Sequence, residues 1–235
     1  VLPTTHKVVL IEEFTGVTCT FCPPGHDIVK DLIDDYGDSV VAVAIHNDNS
    51  LAKPHEGFND FRTPEGITIS QQLGASSSIP AAAIDRRVFS GETDESVSTG
   101  KWKNYTAQQL TQQPRVDVEV GTDFDATSRE LTITVKLHYL DNVDSTTHLS
   151  VMLVENGIVN PQTMIPGSNP PVDTNYIHDH ILRDMVTPAL GSLTNATTES
   201  GRVVIREYLI EVDPTWDENE MEVVAYVHFI GSSLE

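Results

Sequence analysis

The sequence predicts an α/β domain over residues 1–113 followed by an all-β sandwich domain over residues 114–235. Three observations predict it. Strand-like and helix-like runs alternate through the first half, as they do where helices cover a sheet. Beyond Arg115 the apolar residues recur at every second position, the period of strands with one buried face. Between the two textures stands Pro114, which closes the last helical pattern at a boundary near Gln113–Arg115.

Taken in order, Lys7 to Phe14 (KVVLIEEF) is a short β-rich run. From Pro24 to Tyr36, the residues Ile28, Val29, Leu32, Ile33 and Tyr36 fall at three- and four-residue steps, which marks an amphipathic helix with Gly37 as its stop. Val40 to Ile45 (VVAVAI) is apolar throughout, as expected of a strand buried on both faces of a parallel sheet. A shorter helix is expected over Gly66 to Leu73 and a small-residue strand over Ala81 to Asp85. A last helix, carrying Trp102, Tyr105 and Leu110, is expected between Ser98 and Gln113. In the second half Val116, Val118 and Val120 alternate with charged residues. The same alternation runs from Leu131 to Tyr139, from Tyr208 to Val212 and from Met221 to Phe229. With turn signals between the runs, it predicts an antiparallel sandwich.

The chain carries 14 Lys and Arg against 35 Asp and Glu, a net charge of −21. Phosphate recognition needs clustered cations, so nucleic acid is excluded as a partner and anionic membrane surfaces are disfavoured. A solvated acidic surface accounts for the charge. No apolar run approaches the ~18–20 residues of a membrane span, and no signal-peptide pattern opens the chain.

Both cysteines lie in EFTGVTCTFCPP, Glu13 to Pro24. Two cysteines are too few for the disulfide framework of a small secreted domain. They can form a redox dithiol, a plain structural bridge or part of a metal clip. A helix N-terminus favours a thiolate, and a second cysteine within reach can resolve a mixed disulfide. Zinc needs further Cys or His ligands, and His26 alone does not complete a set. The redox reading is the strongest of the three. Within it Cys19, ahead of the helix, is expected at the exposed lip of the loop as nucleophile, with Cys22 shielded by Pro23 as the resolving thiol.

VLIEEFTGVTCTFC resembles the thioredoxin pattern of apolar strand, acidic residue, aromatic residue, short loop and CxxC. Glu13 falls where thioredoxins carry a buried, proton-accepting acid. Ser78-Ile79-Pro80 ahead of a small apolar strand resembles the thioredoxin loop whose cis-proline faces the cysteines. The resemblance therefore implies a site made of Cys19, Cys22, Glu13 and Pro80, with a cis Ile79–Pro80 bond. Thr20-Phe21 departs from the thioredoxin Gly-Pro, and no Trp precedes Cys19. The prolines after Cys22 place the helix start just beyond it.

A wider resemblance is carried by EEFTG-x-x-C-x-x-C-x-x-GH, by Asp60-Phe61-Arg62-Thr63-Pro64-Glu65-Gly66 and by His178-Asp179-His180-Ile181-Leu182-Arg183. Together these are similar to the Omp28-related outer membrane proteins of Gram-negative bacteria. That resemblance implies a thioredoxin-like domain followed by a β-sandwich, export, a place in the periplasm or outer membrane, and a lipid anchor at an N-terminus not contained in this sequence. The fold class expected is thus an α/β thioredoxin-like domain followed by an all-β Ig-like sandwich.

Other residues carry weaker signals. Alternation along a strand turns only one of Glu12 and Glu13 inward, and the resemblance selects Glu13. His178 and His180, two apart, share a face if they lie in one strand and could hold a metal, though nothing else supplies ligands. His46 ends an apolar strand at the sheet edge where α/β sites form. Asn47-Asp48-Asn49 and Asp141-Asn142-Val143-Asp144 lack EF-hand spacing and are read as turns. The expected function is thiol–disulfide exchange on exported protein thiols or disulfides, without cofactor or metal. The alternative is a non-catalytic binding or scaffold protein in which the cysteines form an inert bridge. Nothing in the sequence specifies an oligomeric state.

Overall fold

A computed structural model describes residues 6–143, 145–194 and 199–229. Asp144 lies outside the described residues. In the first half, β1 (Val9–Thr15) leads through the cysteine loop into α1 (Pro23–Tyr36) and β2 (Val40–His46). Then come α2 (Pro64–Gln72), β3 (Ala81–Ile84), β4 (Ser96–Ser98) and α3 (Trp102–Leu110). β1 pairs parallel with β2 and antiparallel with β3, which pairs antiparallel with β4. Cys22 is the N-cap of α1, and the prolines behind it occupy first-turn positions where a missing N–H costs nothing. Thr63 caps α2 by accepting the Gly66 N–H at 2.9 Å.

Among the described residues of the second half the regular elements are all strands. The first three are β5 (Val116–Asp125), β6 (Glu130–Tyr139) and β7 (Thr147–Glu155). Four two-residue strands follow: β8 (Ile158–Val159), β9 (Gln162–Thr163), β10 (Val172–Asp173) and β11 (Ile177–His178). β12 (Ile181–Met185), β13 (Ser192–Leu193), β14 (Val203–Glu211) and β15 (Met221–Phe229) complete the chain. β14, β6 and β5 form a three-stranded sheet in that order, while β10 pairs with β9 and β11 with β8. All the other strands belong to one mixed sheet of eight, ordered β13-β7-β12-β2-β1-β3-β4 with β15 on the remaining edge of β7.

This architecture corrects the expected fold class. Among the described residues the chain is predominantly β, with three α-helices of 14, 9 and 9 residues among fifteen strands, and not an α/β thioredoxin-like domain followed by an Ig-like sandwich. The large sheet continues past residues 113–115. β12 pairs parallel with β2 at Ile181 and Ala44, and the Ala44 N–H donates to the His180 carbonyl at 2.7 Å.

Burial supplies the physical reason. β1 and β2 are apolar on both faces, so both faces must be covered. α1 and α3 cover one, where Val9, Ile11, Val40 and Ala42 pack with Val29, Leu32 and Trp102. The second half covers the other, where Leu10, Phe14, Val43 and Ile45 pack with Met152, Val154, Leu182 and Val224. A third core joins β5, β6 and β14 to the opposite face of β7, through Leu149, Val151 and Leu153.

Candidate functional site

The site begins where β1 ends. Gly16 turns the chain out of the strand, and a side chain there would sit 2.4 Å from the Leu51 carbonyl oxygen, so only glycine permits this approach. Thr18 donates its hydroxyl to the same oxygen at 2.7 Å and pins the loop. Cys19 and Cys22 are joined in a disulfide. The Gly25 N–H donates to the Cys22 carbonyl at 2.7 Å. A side chain on Gly25 would come within 2.8 Å of Glu13 Oε1 and 3.4 Å of Pro80 Cβ. Gly25 thus marks the point where the cysteine helix, Glu13 and Pro80 converge. The Ile79–Pro80 bond is cis, as predicted. Asn169–Pro170 is also cis and was not anticipated.

The cysteine geometry departs from expectation. Cys19 is not at an exposed lip: it is 1% exposed and Cys22 0%. The cover comes from the second half. Gln162 donates its side-chain amide to the carbonyls of Gly16 and Cys19, at 3.3 and 3.1 Å. The Thr163 N–H donates to the Val17 carbonyl at 2.9 Å. What the loop does expose is Phe21, between the two cysteines, at 61%.

Glu13 is buried, and its Oε1 has no hydrogen-bond partner among the described residues. Burial pushes its carboxyl well above the ordinary range, toward the protonated form. His26 Nε2 lies 3.8 Å away but does not make an ion pair with it at neutral pH. Burial, then the charge of His178, bring the His26 imidazole down to about 3, so the ring is neutral. Its nitrogens are instead engaged with the hydroxyls of Thr15 at 2.8 Å and Tyr176 at 2.7 Å. Burial pushes the Tyr176 phenol up, aided by the nearby Glu13.

Behind this group the histidines are packed as apolar rings. His46 is buried, 5.2 Å from the Phe61 ring and 6.4 Å from His178, and burial holds it well below its usual range. His178 is buried with Nε2 on the Asn160 carbonyl at 3.1 Å, and burial lowers it to about 4. His178 and His180 do not share a strand face: β11 ends at His178, and His180 takes a left-handed turn with φ of 59°. Among the described residues no group of three His, Cys, Asp or Glu is placed to hold a metal.

Sequence reasoning missed Gln162, Tyr176 and Asn160, which reach the site from a stretch without periodicity. It also placed only one of the paired glutamates inside. Both are buried, on opposite faces of β1. Glu12 accepts two hydrogen bonds from Arg86, at 2.7 and 2.6 Å, and one from the Tyr226 hydroxyl at 3.2 Å.

A predominantly β chain with a strongly acidic composition and a single shielded disulfide is of the class found in oxidising, exported compartments, where such bonds persist. The description of the family is specific: the model for outer membrane protein Omp28 matches residues 68–233. This chain belongs to that family, and its place is the cell envelope. The matched stretch contains Pro80, Gln162 and Tyr176 and excludes Glu13 and both cysteines. No curated protein sequence matches the chain.

Among solved structures it is similar to HBP35 of Porphyromonas gingivalis, at 18% identity and a TM-score of 0.72, over 96% of this chain and 70% of that one. A protein from Agrobacterium tumefaciens aligns at 14% identity and a TM-score of 0.52, over 87% of this chain and 80% of its own length. These likenesses concern the fold, and they extend the β-rich architecture across both halves.

Proposed function

We propose that this chain is a non-catalytic binding or scaffold protein of the cell envelope, with Cys19–Cys22 as a structural bridge. One observation carries the reading: both cysteines are buried, in a loop whose backbone carbonyls are held by Gln162 and Thr163. Exchange needs an accessible sulfur in line with the attacking thiolate. The family match, which lies outside the cysteine loop, is consistent with a role that does not use it.

A second reading, thiol–disulfide exchange with exported proteins, is supported by Glu13. A buried carboxyl whose pKa burial raises, behind the cysteine helix and Pro80, suits proton transfer to and from a thiol. In that reading the Cys19 thiolate attacks a substrate disulfide and releases one substrate thiolate. Cys22 then displaces the second, leaving the protein oxidised and the substrate reduced. It requires the segment carrying Gln162 to move away first.

An insulin-reduction assay beside Cys22→Ser and Cys19→Ser separates the two. The structural reading expects no turnover, no trapped mixed disulfide in either variant, and a loss of about 2 kcal/mol of stability for so short a loop. Turnover by the parent chain, with a mixed disulfide trapped by Cys22→Ser alone, would establish exchange instead.

A further inference from the structure

A wide opening lies away from the cysteines, between the first half and the β5–β15 side of the second. It is a cleft of about 650 Å³, within the range of small-molecule sites. Every residue from Glu222 to Phe229 lines it. β15 pairs with β7 along one edge, and among the described residues no strand pairs with its other edge. The cleft follows that free edge, so at ~3.3 Å per residue it runs for about 23 Å.

Its chemistry differs from one end to the other. Val116, Val118 and Val120 of β5 form one wall, and Val8 and Leu10 come from the opposite half. Thr122 and Phe124 of β5 lie near Met221–Val223, which places the start of β5 toward the other end, at His228 and Phe229. The cations gather at that end. Arg86 lies 3.4 Å from His228, Lys7 bridges to Asp85 beside it, and Arg115 directly precedes Val116. Four of the chain's 14 Lys and Arg line this cleft, with only three of its 35 Asp and Glu. Asp85 and Arg86 are successive non-glycine residues with φ of 51° and 52°. Strained backbone of this kind concentrates at functional sites.

The ion pairs decide which cations are available. Arg86 is held by Glu12, and Lys7 by Asp85. Arg87 and Arg115 make no ion pair among the described residues, and Arg115 spends one of its five N–H donors on the Asn142 carbonyl. A guanidinium fork matches a planar carboxylate, and a long aliphatic channel matches a single hydrocarbon chain.

From this polarity we infer that the cleft binds a single-chain amphiphile with an anionic head, of the fatty-acid class, its carboxylate at Arg87 and Arg115 and its chain between the valines of β5 and the strand edge of β15. The inference goes beyond the binding reading given above and shares no residue with the cysteine site, so either can fail alone. An extended peptide added to the free edge of β15 is the competing occupant. The cationic end and the aliphatic walls favour the amphiphile.

The test is a titration of the full chain with the fluorescent fatty acid dansyl-undecanoate, followed by displacement with laurate. The expected result is saturable binding at one site, displaced by laurate and at least tenfold less well by methyl laurate. The double change Arg87→Ala with Arg115→Ala should weaken binding about tenfold. Val118→Trp and Val8→Trp, which fill the cleft from opposite walls, should each abolish it while leaving the circular dichroism melt intact. Non-saturable binding, equal displacement by the ester, or unchanged affinity in both folded tryptophan variants would overturn the proposal. So would displacement by an alternating valine–threonine hexapeptide but not by laurate. Binding to phosphatidylglycerol vesicles without competition from laurate would assign the cations to a lipid surface and equally overturn it.

Discussion

Glu12 and Glu13 are adjacent, chemically identical and both buried, yet they meet opposite surroundings. Glu12 faces the second half and meets the Arg86 fork in a buried bidentate pair. Glu13 faces α1, finds only a neutral histidine, and is pushed toward its protonated form. Three of the histidines that burial lowers, His26, His178 and His228, share a consequence for stability. Their folded values of about 3, 4 and 3 lie below the unfolded 6.5, so the unfolded chain binds more protons as pH falls. Stability from these groups is full above pH ~6.5 and is lost toward pH ~4, at about 1.4 kcal/mol per pH unit for each group. Glu13 acts in the opposite sense: its raised value lets the folded chain hold a proton that the unfolded chain releases, so its contribution grows on acidification. Urea denaturation of the parent chain at pH 7, 5.5 and 4.5 should show falling midpoints. In Glu13→Gln the fall should be steeper, because the opposing carboxyl is gone. Flat midpoints across this range would contradict the buried-histidine account.

At the scale of the element, β7 is the strand on which the molecule turns, and its sequence does not advertise it. THLSVMLVE is buried along nearly its whole length because its two faces enter different cores. The period-two signal that reveals β5, β6, β14 and β15 vanishes where both faces are covered. The cysteine loop is the opposite case, since its motif was legible while its cover was not. Gly16 shows how tightly that cover is set. Gly16→Ala would drive a methyl group into the Leu51 carbonyl and the Ala52 backbone, for a loss of roughly 3 kcal/mol from overpacking. A thermal melt against the parent chain checks this. A change within ~0.5 kcal/mol would mean that the loop yields easily, and would revive access to the disulfide.

For the whole molecule, the question is how much each half depends on the other. Residues 1–113 on their own would uncover Leu10, Phe14, Val43 and Ile45. At about 2 kcal/mol for each large apolar side chain, the lost burial approaches ~8 kcal/mol, comparable with the entire stability of a domain. A fragment of residues 1–113 should therefore show poorly dispersed amide resonances and no cooperative melt. A well-dispersed spectrum with a sharp transition would show that the helical side alone sustains the fold.

Period and composition along the chain determined the local elements: α1 from its three- and four-residue steps, β2 from an unbroken apolar run, β5 and β15 from alternation, and the cis bond at Pro80 from the motif around it. The motifs resembled those of the family that the matched model identifies, and with it came the envelope location. Tertiary structure alone decided that the two textures share one sheet, that Gln162 and Thr163 close over the cysteines, and that both glutamates of β1 are buried. The reason is the range of the forces involved. Strand and helix periods are written by neighbours a few residues apart. The partners of Glu12, Cys19 and Ala44 lie 74, 143 and 136 positions away, and only packing the two faces of one sheet brings them together.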